Sequence, residues 1–406
     1  MKADRDNENN IFNKIIFYLI CLLPISIIAG SLVININVIL IILFFLIEII
    51  KKNKYFVFNN YIVLLFIIYY VYLILSSILI AESDESLLRS IGVIRYLLLS
   101  LSIAYIIKNL DQKKILYFWG IIFLIVSFDI LFEYIFGENI LGYKSGYHGR
   151  IASFTGDELN IGGYYFGFFL LTSVLLIKKN YLFPISILFF LFISIIIGER
   201  ANFLKVFLLF SFLFLFIYKI SLKKKIASII LFSIFTVGII ASDEKLSGRF
   251  YTQFQQNDLK FFTGIKTRTP HYSHYITSIK IFKDYPLFGI GIKNFRNISH
   301  KKEYHGTGTG SYGGGPHPHQ THLELLSETG LVGYFILISI FIYSLYFGIR
   351  EYVKSKNIFL ACSIIFVLVT FIPLIPSGSF FTTYTATIFW INYGFLLGNS
   401  KIINLK

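Results

Sequence analysis

The chain has 406 residues, 56% of them hydrophobic and 15% charged, and a formal net charge of +15. Soluble domains are about 45–50% apolar and about 25% charged, so this composition excludes a single aqueous core and predicts a polytopic membrane protein. Cys21 and Cys362 are the only cysteines and both lie in apolar runs, which excludes a disulfide framework and a cysteine metal site.

The apolar runs are continuous rather than alternating, so the spans read as helices, not barrel strands. The leader "MKADRDNENN" reads as a cytoplasmic tail before a first span and not as a cleaved signal peptide. Twelve stretches come near the ~20 residues that a bilayer core needs. They lie at 12–31, 34–50, 58–80, 87–107, 115–136, 161–177, 181–198, 201–219, 226–242, 329–349, 358–376 and 380–398. The chain thus divides into spans one to nine (1–242), a large loop (243–328) and spans ten to twelve (329–406).

With the N-terminus in the cytoplasm, every inner connection is basic. They hold Lys51, Lys52 and Lys54; Lys108, Lys113 and Lys114; Lys178 and Lys179; Lys219 and Lys223 to Lys225; Arg350, Lys354 and Lys356; and Lys401 and Lys406. The short outer connections "AESDES" (81–86) and "PSGS" (376–379) carry no Lys or Arg. This is the positive-inside pattern, and it accounts for the net charge without nucleic acid. Both termini are then cytoplasmic, and the longer connections 138–160 and 243–328 share the opposite face. Within the spans, Asp129 and Glu133 stand one turn apart and Glu48 lies near a span end. They read either as the proton site of a transporter or as polar groups satisfied by neighbouring helices.

In the large loop, "TPHYSHYITSIKIFKD" predicts a helix whose apolar face is Tyr272, Tyr275, Ile276, Ile279 and Phe282. "YPLFGIG" ends it with Pro286, Gly289 and Gly291. "GTGTGSYGGGP" (306–316) reads as a flap. In "PHPHQTHLELLSETG", Thr321 and Glu324 have capping-box spacing, so a short helix closed by Gly330 follows His319. The positive helix end would keep His319 neutral and able to accept a proton. His317, His319 and His322, with His305, could instead offer zinc ligands, or be solvated loop residues; Pro316 and Pro318 restrict the backbone for the metal reading. Arg150, Arg200, Arg268 and Arg296 fall on the same face, and guanidinium forks suit an anionic ligand; each could equally pair with a nearby acid such as Glu199.

"HQTHLELLSETGLVG" resembles the loop motif of O-antigen ligases: His, then Asn, Ser or Gln, then nine residues, then Gly-x-x-Gly. Here these are His319, Gln320, Gly330 and Gly333. "IFKDYPLFGIGIKNFR" is similar to the segment before that motif, and "GERANFL" resembles the family's arginine-bearing outer helix end. The resemblance implies an all-α integral membrane glycosyltransferase of the GT-C-like kind in the bacterial inner membrane, with the large loop in the periplasm. It implies transfer of a glycan from undecaprenyl diphosphate to lipid A–core oligosaccharide by a monomer, with no cofactor, metal or nucleic acid, and with inversion at the sugar.

It further implies that His319 is the base and that Arg200 holds the diphosphate. A second arginine belongs near the start of the loop helix, where this chain has Arg268, followed by His271 and His274. Arg296, Arg150, Gln320, His317 and His322 are the candidate substrate contacts. A polysaccharide polymerase shares this architecture, and a transporter is the reading from a different class.

Overall fold

A computed structural model describes residues 2–146, 149–156, 160–176, 182–252, 270–305 and 314–403. Arg268, the 306–313 part of the glycine-rich stretch, Lys178, Lys179 and Lys406 lie outside the described residues.

Among the described residues the fold is all-α, and each of the twelve expected stretches contains a helix. The helices before the large loop are α1 (Lys2–Cys21), α2 (Leu23–Ile28), α3 (Ser31–Lys51), α4 (Tyr61–Leu79), α5 (Asp84–Asn109), α6 (Gln112–Phe136), α7 (Ile161–Ser173), α8 (Leu182–Ile196), α9 (Arg200–Phe212) and α10 (Leu222–Ser242). The loop adds α11 (Glu244–Ser247), α12 (Pro270–Asp284) and α13 (Phe295–Ile298). The chain closes with α14 (Thr321–Ser355), α15 (Ile358–Thr370) and α16 (Thr383–Asn399).

Among the described residues, seven helices are long and apolar enough to cross a membrane: α3, α4, α5, α6, α9 with its continuation to Ile217, α10 and α14. Four more apolar helices are shorter. The chain is therefore a multi-pass membrane protein. The first expected span breaks at residue 22, where Pro24 starts the separate α2. The span expected at 358–376 ends at Thr370, because Pro373 and Pro376 cannot continue it. The turn so released, 371–382, reaches back over the large loop.

The centre is α16, buried for most of its length, packed along α5, whose C-terminal half is buried. Phe66, Phe341, Phe380, Phe389, Trp390 and Tyr393 surround the contact with ring centroids 5–6.5 Å apart. Such edge-to-face and tilted aromatic pairs and close backbone contact replace the hydrophobic driving force that lipid removes. Ser100 Oγ, for example, donates to the Trp390 carbonyl at 2.7 Å.

Asp129 and Glu133 are buried and bonded to protein rather than left for a transported proton. Asp129 accepts from the Ile140 N–H (2.9 Å) and the Ser153 hydroxyl (2.5 Å). Glu133 accepts from the Ala152 and Ser153 N–H groups (3.2 and 2.5 Å). Together they tie Ile140, Ala152 and Ser153 to the end of α6.

The buried face of α12 differs from the apolar face expected for it. Ser273, His274, Tyr275, Thr277, Ser278 and Ile281 are buried, while Ile279 is 38% exposed. The partners explain the rotation: Thr277 donates to the Tyr304 carbonyl and Ser278 to the Leu323 carbonyl, both at 2.8 Å. A polar face here meets backbone carbonyls and imidazoles, not a lipid-like core.

Gly330 does end the short helix that follows His319. It has φ 59°, ψ −171°, and the helix resumes in a new direction. The backbone groups freed by this kink are met by "PLFGIG": Ile290 and Gly291 donate to the Ser327 and Glu328 carbonyls (3.1 and 2.9 Å), and Leu331 and Val332 donate to Pro286 and Leu287 (2.8 and 3.1 Å). A Cβ on Gly330 would meet the Leu287 carbonyl, and one on Gly289 (φ 67°) the Glu328 carbonyl. Both positions therefore require glycine.

Candidate functional site

Four imidazoles gather where the first turn of α12 faces the segment before α14. The ring centroid of His319 lies 3.9 Å from His317, 5.1 Å from His271 and 5.2 Å from His274. His271 and His274 are one helical turn apart, so they share the face of α12 that meets His319. His317 and His319 come from one irregular segment, with Pro318 buried between them. His271 Nδ1 and His317 Nε2 are buried and find no hydrogen-bond partner among the described residues.

His319 has a left-handed backbone (φ 59°), which a non-glycine residue adopts only when neighbours impose it. The neighbour is the 371–382 turn. Ser377 N–H donates to the His319 carbonyl at 2.9 Å, and the Ser377 and Thr321 hydroxyls pair at 3.0 Å. Below them, Lys293 Nζ donates to Ser379 Oγ at 2.5 Å, and the Ser379 hydroxyl donates to the Glu324 carboxylate. Glu324 also accepts from the Phe380 N–H (2.7 Å), and Glu328 from the Lys293 N–H (2.8 Å). This buried network fixes the histidine segment against three other parts of the chain.

The helix start differs from the capping box expected at Thr321. Gln320 is the N-cap, with Oε1 accepting from the Leu323 N–H at 2.8 Å, because Glu324 is turned inward to the 371–382 turn. Burial lowers the His319 pKa to about 3, with His271 and His274 adding to the shift. The ring is thus neutral as expected, but through burial and its neighbours rather than a helix end. Burial likewise lowers His317 to about 2, and it lowers His271 and His274.

Arg150 and Arg200 are brought toward His271. Ile151 N–H donates to the Ile197 carbonyl at 3.1 Å, and a Cβ on Gly198 would meet the Gly149 carbonyl, so the two backbones touch. Arg249, which sequence reasoning passed over, joins them: its Nε donates to the Gly198 carbonyl at 2.9 Å. After burial, the charges of Arg200, Arg150 and Arg249 are what hold down the His271 pKa. Glu199 is bonded to Asn202 (2.5 Å), and burial raises its carboxyl pKa while Arg150 and Arg249 oppose that.

Other candidates fall outside this group. Arg296 is engaged by Glu85, with Nη1 3.4 Å from a carboxylate that Arg89 also approaches at 3.2 Å. His322 has both nitrogens occupied, Nδ1 by the Tyr334 hydroxyl (3.0 Å) and Nε2 by the Phe371 carbonyl (2.8 Å). His305 Nε2 is 3.1 Å from the His300 carbonyl. Among the described residues, no group of three or more His, Cys, Asp or Glu is arranged to hold a metal ion.

The arrangement sets a neutral, partly open imidazole beside clustered guanidinium groups. Residues 185–338 match the O-antigen ligase family model. The matched stretch runs from within α8 past the Gly330 kink, and so includes Arg200, Arg249, the histidine segment and the "PLFGIG" pairing. Arg150 and the 371–382 turn lie outside it. No curated protein matches the chain.

Proposed function

We propose that this protein transfers a glycan from undecaprenyl diphosphate to the lipid A–core oligosaccharide, as an O-antigen ligase without a metal ion. The observation that carries the reading is the neutral His319 ring, held on an imposed backbone beside the face where Arg150, Arg200 and Arg249 meet.

His319 removes the proton of the acceptor hydroxyl, a poor nucleophile without a base. The hydroxyl oxygen attacks the anomeric carbon from the side opposite the diphosphate, which inverts that centre. Arg200, with Arg150 and Arg249, stabilises the charge that develops on the leaving diphosphate. The site opens to the periplasm, with both termini in the cytoplasm, in keeping with the basic inner connections. Arg268 remains a candidate for the same clamp.

The test is transfer by purified protein in detergent, with undecaprenyl-diphosphate-linked glycan as donor and lipid A–core as acceptor, with and without chelator. Wild type is expected to give capped lipid A–core in both conditions, and His319→Ala none. Lengthened lipid-linked glycan with untouched lipid A–core would make it a polymerase instead. Activity retained in His319→Ala would remove the base assignment.

A further inference from the structure

We propose that His271 is a second catalytic imidazole: it contacts the leaving diphosphate and passes to it the proton that His319 takes from the acceptor. This inference rests on the glycosyl-transfer reading above.

Position argues for it first. His271 lies between the two halves of the site, with its ring 5.1 Å from His319 and at 77° to it. A substrate oxygen between the rings is within hydrogen-bond reach of both. Among the four imidazoles, His271 is the one on which the arginines act. His274 is influenced by His271, His319 by His271 and His274, and His317 by His319, Lys293 and His274. The ring nearest the anion-holding groups is therefore also in contact with the candidate base.

Its unused bonding capacity points the same way. Nδ1 is buried with no hydrogen-bond partner among the described residues, a desolvation cost that a ligand atom would relieve. The groups facing it are cationic or neutral: Arg200, Arg150 and Arg249 on one side, His274 and His319 on the other. An anion there would neutralise the arginine field and let the ring carry a proton.

The step balances. The acceptor O–H bond breaks and its proton goes to His319. The new glycosidic bond forms as the bond between the anomeric carbon and phosphate oxygen breaks, its electron pair staying on the diphosphate. The proton then moves from His319 through His271 to a diphosphate oxygen. Both histidines return to the neutral form, and no oxidant, reductant or metal is needed.

The experiment uses the full-length protein in detergent with the same donor and acceptor, comparing wild type, His319→Ala, His271→Ala, His271→Asn and His271→Arg. The expected result is that His271→Ala and His271→Asn melt near wild type and still bind undecaprenyl diphosphate. Their kcat falls about 10²-fold and is partly restored by added imidazole. His271→Arg binds the diphosphate but does not recover kcat. Wild-type kcat in His271→Ala overturns the proposal. So does full activity in His271→Arg, which would mean that only a positive charge is required, and so does a loss that imidazole does not repair. If wild type transfers and His319→Ala does not, the glycosyl-transfer reading stands whatever the His271 variants do. A wild type inactive on every acceptor sinks that reading and this inference together.

Discussion

His319 and His322 stand three residues apart and have opposite surroundings. His319 faces three other imidazoles, whereas His322 is spent on Tyr334 and Phe371. His322→Ala should therefore lower the melting temperature, with about 1–3 kcal/mol lost to the unpaired Tyr334 hydroxyl and Phe371 carbonyl. Its kcat should stay near wild type, unlike that of His319→Ala. The pH profile gives a second check. The kcat/KM profile reports free-enzyme ionisations, and His319 titrates near 3, so kcat/KM should hold as the pH falls from 7 to about 5. An unshifted imidazole near 6.5 would cost about 25-fold over that range. The stability sign follows from the same shift. The folded pKa lies below the unfolded one, so stability is full above about 6.5 and declines as the pH falls toward the folded value. A thermal-melt series in His319→Gln should be flatter across that window.

At the scale of elements, two connections do more than join helices. The "PLFGIG" segment supplies the backbone partners of the kink at Gly330, and the two glycines at its core leave no room for a side chain. Gly330→Ala should cost more than about 1 kcal/mol in a thermal melt and reduce transfer, because Glu328 and the histidine segment would shift together. Asp129 and Glu133 hold Ile140, Ala152 and Ser153, and Arg150 lies two residues before Ala152. Asp129→Ala should weaken binding of undecaprenyl diphosphate, measured directly, while leaving the His319 chemistry in place. Proton-coupled flux in reconstituted vesicles that is lost with Asp129→Ala, and kept in His319→Ala, would instead favour transport.

For the whole molecule, the open question of sidedness has a direct answer. Cys21 and Cys362 are buried, so a cysteine placed at an exposed position reports cleanly. A membrane-impermeant thiol reagent outside sealed cells should label Lys302→Cys in the large loop and not Lys354→Cys at the end of α14. The reverse pattern would invert the topology drawn from the basic connections.

Composition and continuous apolar runs determined that the chain is a helical membrane protein, since bilayer thickness sets the span length. Local motifs determined that Gly330 interrupts a helix next to His319, because glycine and cap signals act within one turn. They also set His319 and Arg200 apart as candidate site residues. Only the tertiary structure decided which histidines meet: His271 and His274 lie more than forty residues from His319 along the chain, and His322 turns away into contacts of its own. It also decided that Arg249 joins Arg150 and that Arg296 goes to Glu85. Those outcomes depend on packing between distant segments, chiefly the 139–153 segment, α12 and the 371–382 turn. Sequence spacing carries no record of which backbones will touch.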